Sequence, residues 1–146
     1  MIVLDTTVLV YAVGVEHPLR EPCRAVIGAV RDGALAATTT VEVIQELAQV
    51  RARRRGRADG ARLAQDYAVL LAPLLVVDDA NLRAGLDLFE HHDELGAFDA
   101  VLAAAAMRND AAGLVSADQA FARVDGLTHV DPASADLLTR LGVGVP

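Results

Sequence analysis

Five short, mainly apolar runs punctuate this chain: Ile2-Val3-Leu4, Ala34-Leu35-Ala36-Ala37, Leu74-Leu75-Val76-Val77, Leu114-Val115-Ser116 and Thr128-His129-Val130. Between them, apolar residues recur at helical spacing. Runs this short suit strands buried on both faces, and their alternation with helices implies a parallel sheet covered by helices on either side, with right-handed crossovers. The composition fits that architecture. The chain is 53% hydrophobic with no Trp and 3% aromatics, so its core must be built from Ala, Val, Leu and Ile. At 146 residues it has the length of one domain, over 1–146, burying roughly two-thirds of the surface of the unfolded chain.

The expected order runs as follows. Asp5-Thr6-Thr7 caps a helix beginning near Val8, a second helix covers Pro18 to Arg31, and Gly33 stops it before the strand at 34–37. Thr38, Thr39 and Thr40 cap a long helix that runs into an arginine cluster before Gly56. Asp59 and Gly60 open a helix through Leu74, and the third strand follows. Helices from Ala80 to His91 and from Ala97 to Asn109 precede the strand at Leu114. After the last strand, Pro132 leads into a final helix through Leu141.

A single cysteine, Cys23, excludes an internal disulfide and a cysteine zinc cage. The opening Met-Ile-Val-Leu-Asp lacks the features of a signal peptide, and no apolar run reaches the ~20 residues needed to cross a bilayer. The expectation is a cytoplasmic protein with no membrane partner. The net charge of −7 opposes general adhesion to nucleic acid. Local charge departs from the total: all 13 basic residues are arginine, and Arg51, Arg53, Arg54, Arg55 and Arg57 are five of them. The run reads equally as a solvated helix end or as a phosphate-binding patch.

Four carboxylates stand where charge is costly or where strands end. Asp5 closes the first strand and Asp118 follows the fourth, and sites in parallel sheets lie at the carboxyl ends of strands. Asp99 is one acid in the first turn of a helix that is otherwise apolar nearly all round, Ala100 to Ala106. Glu42 and Glu46 share a stripe with Gln49 and Arg53, and spacing alone does not choose between them. Each aspartate has an ordinary reading as a helix cap or dipole partner. If the strands carrying Asp5 and Asp118 are neighbours, the acids meet at one end of one sheet, and such a cluster would point instead to a metal or to proton chemistry.

Taken together, these segments resemble the PIN-domain ribonucleases, and among them the VapC-type toxins of bacterial toxin-antitoxin pairs. Met1 to Leu9 is similar to that family's first strand, with its acid at Asp5. Thr39 to Leu47 resembles the second motif, whose acid precedes a leucine, which selects Glu46. Leu95 to Ala104 resembles the third, whose aspartate, here Asp99, opens an alanine-rich helix. Leu114 to Phe121 resembles the fourth, with a hydroxyl, Ser116, two residues before the acid Asp118. The usual pattern there is threonine, a basic residue and aspartate; Ser116-Ala117-Asp118 keeps the hydroxyl and lacks the basic residue.

The resemblance implies a three-layer α/β/α fold with a central parallel sheet of four to five strands. It implies an endoribonuclease toxin that hydrolyses RNA phosphodiester bonds at a four-acid Mg²⁺ or Mn²⁺ site. Asp5 and Asp99 would bind the ion directly, Glu46 and Asp118 through water or on a second ion, and Thr7 and Ser116 would support them. It further implies an RNA target (tRNA, rRNA or mRNA) held in part by Arg51 to Arg57, a small cognate antitoxin, and a homodimer through helices near the amino-terminal half. The absence of lysine counts against receiver domains and dehalogenase-type phosphatases, which rely on one at the phosphoryl site, and His17, His91, His92 and His129 read as surface or strand-end residues. The alternative is a PIN-fold protein that binds RNA or a partner without cutting.

Overall fold

The computed structural model describes residues 1–144. Its elements are β1 (Ile2–Leu4), α1 (Thr6–Val13), α2 (Arg20–Arg31), β2 (Ala37–Thr38), α3 (Val41–Arg55), α4 (Arg57–Leu70), α5 (Asp79–His91), α6 (Ala97–Arg108), β3 (Gly113–Val115), a 3₁₀ turn (Gln119–Arg123), β4 (His129–Val130) and α7 (Leu137–Arg140). The strands form one parallel sheet in the order β2-β1-β3-β4, flanked by helices in a three-layer arrangement. Val3, Leu4, Val43, Leu47, Leu114, Val115 and Phe121 are fully buried where the sheet meets its helices. Burying a side chain of this size is worth about 1.5–3 kcal/mol, so the apolar runs are driven inward despite their shortness.

The register fixes the site. β1 and β3 are neighbours, with Leu4 opposite Val115, and the Asp5 amide donates to the Val115 carbonyl at 3.0 Å. Residues far apart in the chain therefore leave the sheet side by side at its carboxyl edge.

Several boundaries differ from the sequence reading, each for a local reason. Residues 34 and 35 do not join a strand, because the amides of Ala34 and Leu35 both turn back to the Ala29 carbonyl, at 2.9 and 3.1 Å, and close α2 after Gly33 (φ 73°). The run Leu74 to Val77 contributes a single bridge, Thr40 to Leu75, and none of its four residues is buried. It borders the sheet without extending it. Gly60 does not open a helix but lies inside α4, where a Cβ would come within 2.7 Å of the Ala48 carbonyl; it lets α4 approach α3 closely. The final helix shrinks to α7, because Asp131 ties up the amides of Ala133 and Ser134 in a turn.

Candidate active site

Asp5 is both a helix cap and the centre of a hydroxyl cluster. It is the N-cap of α1, and its Oδ2 accepts from the Thr7 hydroxyl at 2.8 Å and the Ser116 hydroxyl at 2.7 Å. Each hydroxyl has a second partner. Thr7 Oγ1 accepts from the Ala117 amide at 3.1 Å, and Ser116 Oγ from the Asp118 amide at 3.0 Å. The loop after β3 is thereby tied to the start of α1. Charge-assisted bonds to a buried carboxylate are worth about 1.5–3 kcal/mol each, enough to hold Asp5 in one rotamer.

The other acids are positioned from different elements. Asp118 caps the 3₁₀ turn, its Oδ1 accepting from the Ala120 amide at 2.9 Å. Glu46 lies on α3, where its Oε2 accepts from the Thr6 hydroxyl. Asp99 stands half-buried in the first turn of α6. All four line one cavity of about 500 Å³. Glu42 does not: it lines a second cavity with Thr40 and Phe98, so tertiary structure separates two glutamates one turn apart.

Asp99 records the electrostatic consequence. Burial, then repulsion from Asp5, Asp118 and Glu46, pushes its carboxyl up to about 7. A cation would relieve that repulsion, and the donors fit one. Asp5, Glu46 and Asp118 each commit one oxygen to a hydrogen bond, leaving Asp5 Oδ1, Glu46 Oε1 and Asp118 Oδ2 without one among the described residues. An all-oxygen set suits a hard divalent ion. Among the described residues, the tight cluster of potential ligands lies elsewhere, at exposed Asp87, Glu90 and His91 on α5, with atoms within 4.8 Å of one another. No three of the cavity acids bring ligand atoms within 4.8 Å of one another among the described residues, a spread that an ion keeping several waters tolerates.

The arginine run divides. Arg51 is not a free cation: its guanidinium pairs with Asp59 and donates to the Val13 carbonyl at 3.2 Å, joining α3 to α4 and α1. That pair also holds the Asp59 carboxyl below its usual range. Arg53, Arg55 and Arg57 are exposed, and Arg54 alone of the five reaches the acid cavity. Three further residues of this region carried no sequence signal of their own. Thr6 serves Glu46 across 40 positions of sequence. Tyr11, one helical turn after Thr7, lines the cavity, and so does His17, which reads from sequence as an ordinary surface residue. His129 stays at its strand end and donates from Nε2 to the Ser116 carbonyl at 2.8 Å.

A family model described as PIN domain matches residues 2–127. Ribonuclease VapC7 of Mycobacterium tuberculosis (strain ATCC 25618 / H37Rv) is 51% identical over 146 residues, covering 97% of this chain and 99% of that protein. Ribonuclease VapC23, from the same strain and from strain CDC 1551 / Oshkosh, is 32% identical over 124 residues, covering 84% of this chain and 96% of that protein.

Proposed function

The chain belongs to the PIN-domain family, and from that premise we propose that it is a metal-dependent endoribonuclease, the toxin of a toxin-antitoxin pair, acting through Asp5, Glu46, Asp99 and Asp118. The observation that carries the reading is the convergence of these four acids, from four separate elements, on one cavity where burial and then their mutual repulsion push the Asp99 carboxyl up to about 7. Asp5 and Asp99 would hold Mg²⁺ or Mn²⁺ directly, with Glu46 and Asp118 acting through water or on a second ion. When bound, the ion would polarise the scissile phosphate and lower the pKa of the attacking water.

The chain's own residues do the positioning. Thr7 and Ser116 donate to Asp5 Oδ2 and leave its Oδ1 without a hydrogen bond among the described residues, available to an ion. Thr6 does the same for Glu46 through Oε2, and the Ala120 amide for Asp118 through Oδ1. No side chain needs to act as a nucleophile. Cleavage would leave a 5′-phosphate and a 3′-hydroxyl.

The partners proposed are RNA (tRNA, rRNA or mRNA), a small antitoxin that puts a basic residue among the carboxylates, and a second copy of the chain, all in the cytoplasm. The four acids favour such a basic residue by simple charge. The second copy is proposed on the face of α5 and α6, in place of the amino-terminal helices that the resemblance implies, because Leu82, Leu86 and Phe98 line one cavity there and are 39% to 46% exposed; exposed apolar surface of this kind marks a protein contact. Among the described residues, no helix is long and apolar enough to cross a membrane.

The test is to incubate wild type and Asp5→Asn with total bacterial RNA in Mg²⁺, Mn²⁺ and EDTA, and to map new 5′ ends. Asn retains the capping chemistry of Asp, so the variant should fold. Metal-dependent cuts at discrete positions, absent from the variant, are expected. Equal inertness of both proteins with RNA binding retained would select the non-cutting module.

A further inference from the structure

The cavity that holds the acids extends well past them, along α1 to Tyr11 and along α3 through Val50 to Arg54. At about 1.5 Å rise per residue, Tyr11 stands ~9 Å along the chain axis from Asp5, and Arg54 ~12 Å from Glu46. In that distal part the Tyr11 ring is stacked on the imidazole of His17, with centroids 4.4 Å apart and planes 26° from parallel. His17 lies in the loop before α2 and is exposed, and its Nδ1 accepts from the Leu19 amide at 3.1 Å. That bond fixes the orientation of the ring and places the proton of the neutral imidazole on Nε2. Nearby Val15, also lining the cavity, is 75% exposed. An aromatic stack, apolar flanks and a guanidinium are not the hard oxygen donors that suit Mg²⁺ or Mn²⁺.

We propose that the Tyr11–His17 stack is a platform for a nucleobase flanking the scissile phosphate, with Arg54 holding a phosphate further along the strand. The proposal rests on the ribonuclease reading and specifies how that site grips its substrate. Bases of single-stranded RNA are recognised by stacking on aromatic rings, and their phosphates by arginine. The acids at one end and Arg54 at the other also discriminate between ligands. A basic protein segment would be attracted to the carboxylates and repelled by Arg54. A polyanion carrying its phosphate to a metal among the acids is drawn at both ends.

The experiment compares binding, in Ca²⁺, of a fluorescein-labelled uridine dodecamer and of the same ribose-phosphate backbone without bases. The proteins are wild type, His17→Ala, His17→Phe, Tyr11→Leu and Tyr11→Phe. Stacking on an aromatic side chain is worth about 5- to 160-fold in affinity per base. His17→Ala and Tyr11→Leu are expected to weaken uridine binding by on the order of 10-fold and to leave backbone binding unchanged, while both Phe variants retain wild-type affinity. Tyr11 is half-buried, so melting curves accompany its variants, and the exposed His17 pair decides the matter should Tyr11→Leu unfold. Equal losses on both oligomers, no loss on either, or wild-type protein that binds the two alike or not at all would overturn the platform. So would a loss confined to an arginine-leucine repeat peptide, which would assign the stack to a protein ligand. Cleavage of total RNA by the wild type is scored separately: base-dependent losses without cleavage leave the platform standing and remove the nuclease reading, whereas cleavage that ignores both rings does the reverse.

Discussion

Two cavities of nearly equal volume, about 500 and about 480 Å³, share α3 and α6 as walls and differ almost completely in chemistry. Neighbouring residues part company between them. Glu46 and Asp99 face the first; Glu42, one turn before Glu46, and Phe98, next to Asp99, face the second. In the first cavity, hydrogen bonds orient the acids; in the second, Val77, Leu82, Leu86, Phe98 and Val101 make an apolar wall beside Glu42, Asp78 and Asp79. In the first, Thr6, Thr7 and Ser116 hold single carboxylate oxygens of Glu46 and Asp5 and leave the other oxygen of each acid without a hydrogen bond among the described residues. In the second, Leu82 and Leu86 stand exposed with Asp78 and Asp79 beside them.

The contrast is broken most severely at Asp99. Asp99→Asn is expected to lower cleavage by on the order of 1,000-fold or more, since an ion's stabilisation of transition-state charge is worth several kcal/mol. Single-turnover rates in saturating Mn²⁺ would check it, and near-wild-type activity would remove Asp99 from the site. Next comes the glutamate pair. Glu46→Gln should cost ~10- to 100-fold in metal affinity or rate, the scale of an outer-shell ligand, with Glu42→Gln within about twofold of wild type. Glu42 Oε2 is buried without a hydrogen-bond partner, so neutralising it should not destabilise the fold. Reversed effects would exchange the roles of the two cavities. Ser116→Ala removes one donor to Asp5 and is also expected to weaken metal binding ~10- to 100-fold, read by Mn²⁺ titration calorimetry.

The second cavity is tested through its helices. A Cβ on Gly85 would meet the Val101 backbone at 2.5 Å, so α5 and α6 cross there with no room for a methyl group. Gly85→Ala is expected to cost ~1–3 kcal/mol of stability and to lower the melting temperature by several degrees while the isolated acid site keeps its metal affinity.

The smallest effect is in pH. With its carboxyl raised to about 7, metal-free Asp99 holds a proton that the unfolded chain has released above pH ~4. Its contribution to stability is therefore fullest below that pH, falls as pH rises toward 7 and is level beyond. An incoming cation must displace the proton, so metal affinity should drop by up to about tenfold per unit below pH 7. Calorimetry in buffers of different ionisation heat would detect up to ~one proton released per ion near neutrality; no release at pH 6 would show that Asp99 is already ionised.

Much of this was legible in the chain. The short apolar runs and their alternation with helical spans dictated a parallel sheet between helices, because apolar segments of three or four residues find enough burial only as sheet interior. Asp5 and Asp118 could be placed at strand ends, and Asp99 at a helix start, because caps and turns are local chemistry encoded within a few residues. Strand pairing is not local. That β1 lies against β3, so that Ser116 donates to Asp5 across 111 positions, follows from the global fit of helices on the sheet. The same holds for Arg51, drawn by Asp59 into a structural ion pair while Arg54 of the same run reaches the cavity, and for His17, which a loop folds onto Tyr11. Sequence determined which residues were available for chemistry, since composition and local spacing act over a turn or a strand. Tertiary structure decided which of them meet, since packing and the repulsion of buried charge act between elements that the chain itself keeps far apart.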